Sequence, residues 1–255
     1  RGLCHRSPPR TLLRQPIYPK PQRMPAVDGD GGAPTSSDGG QAERWVAASR
    51  EFTLPGLPRP ICVRQDWKTI DGTGGAVSDA GEALVRWLCS SEGAEVAAVL
   101  RGATVLELGC GLGLVSTVVA LLGAARVVAT DMEDGVLERV PETAANAGAP
   151  EGCIVPWRHC WGEQLSWPPE VEGDACSFVI GADILYNPER QPALAESLRQ
   201  VFTSRRGCRA LLAWLDRQAE EMEFLASFPL QDIARAEEVW CEGSMHIVLL
   251  TPLHA

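Results

Sequence analysis

The sequence predicts a doubly wound α/β fold: a mainly parallel, seven-stranded sheet that ends in a C-terminal antiparallel hairpin. From residue 101 onward, short continuous apolar stretches alternate with stretches of helical spacing. This alternation is typical of a parallel sheet whose two faces are covered by helices. The last two apolar stretches are joined by a short connection that leaves no room for a crossover helix, so their pairing is predicted to be antiparallel.

Each element is predicted from its local pattern. The predicted strands are 104–108, 126–130, 154–159, 178–185, 209–215, 236–240 and 245–251. The predicted helices are 78–90, 112–122, 132–147, 191–202 and 220–234. Ser78 or Asp79 is expected to cap the first helix, Gly123 to close the second, and Pro141 to kink or split the third.

The composition divides the chain into three parts. Residues 1–42 are expected to be a disordered leader, because 1–27 hold six basic side chains and no acidic one and 28–41 form a Gly/Ser/Asp tract. Residues 43–100 are expected to form an N-terminal extension with short strands and a helix, followed by the main domain at 101–255. An Arg-rich start is also typical of an organelle transit peptide, so import into an organelle stays an alternative.

Charge and cysteine usage exclude several classes of partner. The net charge of −10 and the pI near 5.0 argue against nucleic acid as the main partner. No apolar run approaches the roughly 20 residues that span a bilayer, so no membrane partner is expected. Nine cysteines lie scattered without metal-ligand spacing, which predicts free thiols, a cytoplasmic location and no metal site. A monomer is favoured, although the oligomeric state is left open.

A glycine-rich loop follows the first predicted strand of the main domain. In the segment VLELGCGLGL, Gly109, Gly111 and Gly113 allow positive φ angles and close approach of a ligand to the backbone. A dinucleotide site would need GxGxxG, but Leu114 stands at the position of its third glycine. A tight turn without any ligand, and a site for S-adenosylmethionine, are the other two interpretations.

Two carboxylates near this loop favour a cationic ligand. Glu107 lies just inside the strand, where it would repel a pyrophosphate but attract an ammonium group. A salt bridge to a nearby arginine is the alternative role for this side chain. Asp131 follows the next strand and can accept hydrogen bonds from ribose hydroxyls.

The segment VLELGCGLGLVSTVVALLGAARVVATD resembles the cofactor motif of class I methyltransferases. The later CWGE and GADILY segments narrow the resemblance to methyltransferase family 16, most of whose members are protein-lysine methyltransferases. The motifs cover about residues 75–190, and the order of strands agrees to the end of the chain. The resemblance implies a Rossmann-like methyltransferase fold, S-adenosylmethionine as cofactor and a protein lysine as acceptor.

The resemblance also assigns roles to particular residues. It implies that Glu107 and the three loop glycines line the methionine end of the cofactor and that Asp131 holds the ribose. Trp161 would lie against the adenine, where stacking on an aromatic face is worth about 1–3 kcal/mol; ordinary core packing is its alternative role. Ala182 would approach the cofactor through its backbone.

The segment VIGADILYNP supplies the expected acceptor side. Asp183 and Tyr186 follow the fourth strand of the main domain, at the edge where open α/β sheets bind ligands. Asp183 is expected to orient the incoming amine and to help pass its proton to water. Tyr186 is expected to offer its ring face to the lysine ammonium. The alternative role of Asp183 is a helix cap or a turn carboxylate bonded near Asn187, and that of Tyr186 is simple packing.

Two positions depart from the family pattern. Ser78 stands where relatives commonly have tryptophan, and Cys160 where they often have an acid. These departures leave two further functions open: methyl transfer to another acceptor (a protein arginine or histidine, or a small molecule), or a cofactor-binding module with little or no turnover.

Overall fold

The computed structural model describes Arg44, 47–66, 73–171, 176–217, Phe224 and 231–253. The expected leader at 1–42 lies outside the described residues, as does most of the helix predicted at 220–234. Among the described residues, no helix has the length and apolar character that a bilayer crossing requires.

The described elements alternate between strands and helices after two short N-terminal strands. The strands are β1 (Ser49–Phe52), β2 (Ile61–Arg64), β3 (Thr104–Leu108), β4 (Arg126–Asp131), β5 (Ile154–Arg158), β6 (Cys176–Ala182), β7 (Arg209–Leu215), β8 (Ala234–Glu242) and β9 (Met245–Pro252). The helices are α1 (Asp79–Leu88), α2 (Ala94–Leu100), α3 (Leu114–Leu121), α4 (Asp134–Leu137), α5 (Val140–Ala147) and α6 (Gln191–Ser204).

The main sheet has seven strands in the order β5-β4-β3-β6-β7-β9-β8. The first five in this order are parallel to their neighbours, while β9 runs antiparallel to both β7 and β8. Strands β1 and β2 form a separate antiparallel pair. The predicted fold, a mainly parallel seven-stranded sheet with a C-terminal hairpin, is therefore confirmed.

Strand β3 shows why the sheet is covered on both faces. All five of its residues are buried, as expected for a central parallel strand. Val105 packs into the core that includes α1 and α3, whereas Leu106 and Leu108 pack into the core that includes α6. Because successive side chains of a strand alternate between faces, Glu107 projects on the same face as Val105, toward α3.

The strand order defines the edge where a ligand is expected. The chain leaves β3 to form β4 and β5 on one side, then crosses over to form β6 on the other side. Connections that diverge in this way open a crevice at the carboxyl ends of the strands. The ends of β3, β4 and β6 meet at this crevice.

Several boundaries differ from the sequence prediction. The predicted 132–147 helix is split into α4 and α5, and Pro141 occupies the first turn of α5, where its missing N–H costs nothing. Helix α2 was not predicted, because its seven residues carry no side-chain cap at Gly93. Residue 234, predicted as the end of a helix, is instead the first residue of β8.

The end of β6 differs for a local reason. The apolar run predicted a strand to residue 185, but the strand ends at Ala182. Asp183 has a φ of 57°, the only positive φ of a non-glycine residue in the described part of the chain. A left-handed residue cannot continue a strand, and aspartate is among the few side chains that tolerate it.

Candidate functional site

The loop between β3 and α3 holds the backbone close to the crevice. Gly109, Gly111 and Gly113 have φ angles of 70°, 49° and 79°, all in the left-handed region that glycine adopts without strain. A Cβ atom at Gly109 would lie 2.8 Å from Ile184 Cγ2 and 3.2 Å from Trp161 Cζ2. The absence of a side chain at Gly109 is therefore required by what packs on it.

Glu107 is a buried carboxyl group, with 2% of the residue exposed. The Ser116 hydroxyl donates a hydrogen bond to the carboxylate, and the Thr130 hydroxyl donates one to the Glu107 carbonyl at 2.6 Å. Burial, together with the charge of Asp131, raises the pKa of Glu107 to about 8 despite the Ser116 hydrogen bond. No arginine or lysine of the described segments forms an ion pair with it, so the alternative role in a salt bridge is not observed.

Asp131 ends β4 on the opposite side of the loop. Its Oδ2 accepts a hydrogen bond from the Gly111 amide at 3.1 Å, and its Oδ1 accepts one from the Glu133 amide at 3.2 Å. Burial raises the pKa of Asp131, although these backbone hydrogen bonds oppose the shift. The two amides fix the carboxylate, and each oxygen retains a lone pair for a ligand hydroxyl.

The segment after β5 places an aromatic ring against the loop. Trp161 lies over Gly109, and the nearby His159 and Gly162 are both hydrogen-bonded to α6. The Ser197 hydroxyl of α6 lies 3.0 Å from His159 Nε2 and accepts a hydrogen bond from the Gly162 amide at 3.1 Å. His159 is buried, and burial lowers its pKa, so the imidazole is held neutral by its surroundings.

Asp183 has an arginine partner that the sequence analysis missed. Arg217 Nη1 donates to Asp183 Oδ1 at 2.6 Å, and Arg217 Nη2 donates to Oδ2 at 3.0 Å. Only 11% of the Asp183 side chain is exposed. The alternative of a turn carboxylate near Asn187 is wrong, because the carboxylate pairs with Arg217 and the Asn187 side chain accepts from the Glu189 amide instead.

A signal for Arg217 was present in the sequence. It lies two residues beyond the end of β7, which is the parallel neighbour of β6. The carboxyl ends of parallel neighbours meet at the same edge of a sheet, so a charged residue just after β7 is a candidate partner for one just after β6.

Tyr186 lies at the mouth of the crevice, and 40% of the residue is exposed. Its hydroxyl lies 3.1 Å from the Thr73 hydroxyl, and either group can donate. This contact fixes the edge of the ring and leaves part of the side chain open to solvent, so simple packing in the core does not describe it.

Eight of the nine residues predicted from the sequence line one cavity of about 340 Å³. They are Glu107, Gly109, Gly111, Asp131, Trp161, Ala182, Asp183 and Tyr186. Gly113 does not line it; this glycine is the N-cap residue of α3, and a Cβ there would lie 3.0 Å from the Val140 side chain. Thr73, Met132, Glu133 and Arg190 also line the cavity and were not predicted.

The two departures from the family pattern lie in different places. Ser78 lines the cavity. It is also the N-cap of α1, where its hydroxyl accepts a hydrogen bond from the Gly81 amide at 3.0 Å, so of the two predicted caps Ser78 is the one observed. The small Ser78 side chain therefore forms this part of the cavity wall. Cys160 is not among the described residues that line the cavity.

The donor set of the cavity fits a cationic ligand with hydroxyl and aromatic parts. A buried carboxyl group without a cationic partner is costly unless a ligand compensates it, and Glu107 is such a group. A cation is favoured over an anionic pyrophosphate, because a cation can pair with Glu107 once this group ionises and an anion cannot. Cys110 is unsuited to act as a nucleophile, since burial and then the charges of Glu107 and Asp131 raise the pKa of its thiol.

Comparisons with known proteins find similar lysine methyltransferases. A family model described as lysine methyltransferase matches residues 58–230. The protein N-lysine methyltransferase METTL21A of Danio rerio is 36% identical over 162 residues, covering 60% of this chain and 66% of the relative. METTL21A of Mus musculus is 31% identical over 191 residues, covering 73% and 81%.

More distant relatives share the fold or part of the sequence. The protein-lysine N-methyltransferase EFM3 of Chaetomium thermophilum is 26% identical over 204 residues, covering 76% of this chain and 59% of the relative. A solved structure of the putative methyltransferase yhhF from Escherichia coli superposes with a TM-score of 0.50 at 13% identity, covering 81% and 100%, and shares the fold.

The matched region is long, although it does not span the whole of every relative. The alignments cover 66% of METTL21A from Danio rerio and 59% of METTL21A from Xenopus tropicalis. The family model, by contrast, covers more than half of this chain and includes every residue of the predicted site. The chain therefore belongs to the lysine methyltransferase family.

Proposed function

We propose that the protein is an S-adenosylmethionine-dependent methyltransferase whose acceptor is a lysine side chain of another protein. One observation carries the proposal: the buried Glu107, which has no cationic partner among the described residues, shares a cavity with Asp131 and Trp161 on one side and with Asp183 and Tyr186 on the other. A cation-binding end and an acceptor end are thus adjacent in one crevice.

The first end of the cavity supports S-adenosylmethionine as the ligand. Glu107 would pair with the ammonium of its methionine part and ionise as it does so. Asp131 would accept hydrogen bonds from the ribose hydroxyls, and Trp161 would stack on the adenine. When bound, S-adenosylmethionine supplies a methyl group activated by a positively charged sulfur.

The second end of the cavity supports an amine acceptor. A lysine must lose a proton before it can accept a methyl group, which costs about 4–5 kcal/mol at pH 7 from a pKa near 10.4. Because Arg217 offsets its charge, Asp183 can accept a hydrogen bond from the amine without strongly stabilising the ammonium form. Tyr186 would contribute a cation–π contact of roughly 0.5–2 kcal/mol.

In this proposal Asp183 orients the amine and helps pass its proton to water, and Arg217 positions Asp183. The amine gives its surplus proton to water and then forms the new C–N bond through its lone pair. With S-adenosylmethionine bound, its methyl group would pass to this lone pair, and the electrons of the C–S bond would remain with the sulfur. Holding nitrogen and methyl carbon in line supplies much of the rate.

We also propose a cytoplasmic location, a monomeric state and no nucleic-acid or membrane partner. The eight described cysteines are free thiols, which suits a reducing compartment. The acidic chain suits a basic protein surface better than a phosphate backbone. Import into an organelle remains the alternative location.

Two measurements test the proposed function. Calorimetry with S-adenosylmethionine is expected to give one binding site per chain. Incubation of the full chain with methyl-deuterated cofactor and a cell extract is expected to place the label on a lysine, located by mass spectrometry of the labelled peptides.

The alternatives give different results in the same two measurements. Label on arginine, histidine or a small molecule contradicts the lysine acceptor and leaves the cofactor assignment intact. Binding without any label indicates a cofactor-binding module. Absence of binding overturns the proposal as a whole.

A further inference from the structure

We infer that the C-terminal hairpin carries a zinc site formed by Glu238, Cys241 and His246, outside the cavity and independent of the proposed methyl transfer. One ligand atom of each side chain lies within 4.8 Å of those of the other two. A carboxylate oxygen, a thiolate and an imidazole are ligands that zinc takes in proteins.

The pairing of β8 and β9 brings the sulfur and nitrogen donors together. Cys241 and His246 are directly opposite each other in the antiparallel register. Side chains of opposed residues share one face, with Cβ atoms about 4.5–5.5 Å apart. Two donors from neighbouring strands are thus presented side by side.

A β-bulge brings the third donor onto the same face. Glu238 precedes Cys241 by three residues, so in a regular strand the two side chains would point to opposite faces. The register shifts between Glu238 and Trp240, which inserts one unpaired residue into β8. This extra residue restores the phase and places Glu238 beside Cys241.

The three donors are partly preorganised for a metal ion. The His246 ring stacks on Trp214, with ring centroids 5.3 Å apart and planes at 16°, and its Nδ1 lies 2.6 Å from Glu238 Oε1. Tetrahedral zinc holds such ligand atoms about 3.4–3.6 Å apart, so closure around the ion needs side-chain shifts of about 1 Å. Water can supply the fourth ligand.

Charge at the cluster also favours a cation. Glu238 and Cys241 place a carboxylate and a thiol within 4.8 Å of each other. A divalent ion would replace the thiol proton and offset the repulsion between the two acidic groups. Glu238 and Cys241 are open to solvent, whereas only 14% of the His246 side chain is exposed.

The site would fasten the sheet edge near the acceptor end of the cavity. In the hairpin turn, the Ser244 carbonyl accepts a hydrogen bond from the Asp216 amide at 2.6 Å. Asp216 directly precedes Arg217, the partner of Asp183. A metal ion that joins β8 to β9 would thus hold β9 beside the carboxyl end of β7, its antiparallel neighbour. No metal site is expected from the spacing of cysteine and histidine in the sequence, because the cluster depends on the bulge.

Metal binding to the full chain tests this inference. Reduced protein freed of metal is titrated with Zn²⁺ against a chromophoric chelator, and with Co²⁺ as a spectroscopic probe of thiolate ligation. One equivalent is expected to bind with a thiolate-to-cobalt charge-transfer band. Loss of a group that hydrogen-bonds to a metal ligand weakens metal binding by roughly 10–100-fold. C241S and E238Q each remove a ligand itself, so each is expected to weaken Zn²⁺ binding by more than that.

A matched control separates this cluster from any other thiol. Cys62 on β2 is also exposed and lies outside the cluster, so C62S is expected to keep the band and the affinity. At zinc about 100 times above the dissociation constant, the melting temperature should rise for the parental chain and C62S but not for C241S. Binding that survives C241S, binding lost in C62S, or no binding at all overturns the inference.

Discussion

The two ends of the cavity differ in how their carboxylates are paired. Glu107, at the expected cofactor end, is buried and bonded only to hydroxyl and amide groups among the described residues. Asp183, at the expected acceptor end, is held by the two terminal guanidinium nitrogens of Arg217, Nη1 and Nη2. The cofactor end therefore lacks a positive charge, which a ligand can bring. At the acceptor end, Arg217 already offsets the charge of Asp183. The difference predicts that the two ends respond differently to loss of a carboxylate.

The largest effect is expected from E107Q on cofactor binding. The variant keeps the shape and the Ser116 hydrogen bond but cannot ionise to pair with an ammonium. A buried charge-assisted hydrogen bond is worth several kcal/mol when one partner is removed, so affinity for S-adenosylmethionine should fall by about 100-fold or more. Calorimetry measures it, with the exposed Glu138 as a matched control in E138Q. Equal affinities for E107Q and E138Q would contradict the assignment.

The same residue predicts a pH dependence of binding. Because the pKa of Glu107 is about 8 in the free protein, its carboxyl group is protonated near neutral pH and must lose that proton to a cationic ligand. Affinity should therefore fall as pH drops from 7 to 5, by up to about tenfold per unit. In E107Q this slope should disappear; a slope that persists would place the titrating group elsewhere.

As pH rises, the stability of the ligand-free fold is expected to fall, whereas the affinity for S-adenosylmethionine is expected to rise. The pKa of Glu107 rises from 4.5 in the unfolded chain to about 8 in the fold, so the folded state holds more protons between these values. Stability linked to this group is full below pH 4.5 and is lost as pH rises through 8. At pH 8.5, E107Q should therefore unfold on the order of 5 °C higher than the parental chain, and at pH 4.5 the gain should vanish.

This stability prediction is measured by thermal unfolding without ligand at both pH values. E138Q is again the control, because Glu138 is exposed and has no comparable penalty to lose. A gain of the same size at pH 4.5 would indicate better packing rather than removal of a buried charge.

At the acceptor end, the sharpest variants are R217Q and R217K. Loss of the bidentate pair should lower kcat/KM by about 10–100-fold and leave cofactor affinity unchanged. In R217Q the carboxylate of Asp183 is no longer offset, so the amine holds its proton more tightly and the rate profile should shift to higher pH. R217K keeps the charge and should show the loss without the shift. Faster turnover in R217Q would mean that Arg217 blocks the acceptor.

Much of this site could be predicted from the sequence because parallel strands impose strong local patterns. Continuous apolar runs identified the core strands, and their ends placed Glu107, Asp131 and Asp183 where ligands bind. Trp161 and Ala182 were assigned by the family resemblance alone. The glycine loop and Asp131 followed from their spacing. Eight residues therefore reached the cavity although no contact between them was known.

The parts that were missed depend on geometry that hydropathy does not encode. The left-handed φ of Asp183 ends β6 early inside an apolar run, because backbone handedness and hydrophobicity are independent. The Arg217 pair forms between two loops that are 34 residues apart. The Glu238 cluster needs a bulge, which shifts the side-chain phase by one residue.

The smallest effect is expected at the exposed rim of the acceptor end. Y186F keeps the aromatic face and loses only the hydroxyl contact with Thr73. Since hydrogen bonds at exposed positions contribute little, KM for the protein substrate should change by less than about threefold. Y186L removes the face itself and should raise KM by the roughly 2- to 30-fold that 0.5–2 kcal/mol of cation–π contact represents. Steady-state kinetics with a labelled peptide distinguishes them. If Y186F is as impaired as Y186L, the hydroxyl rather than the ring contacts the amine, and the acceptor end uses a hydrogen bond as the cofactor end does.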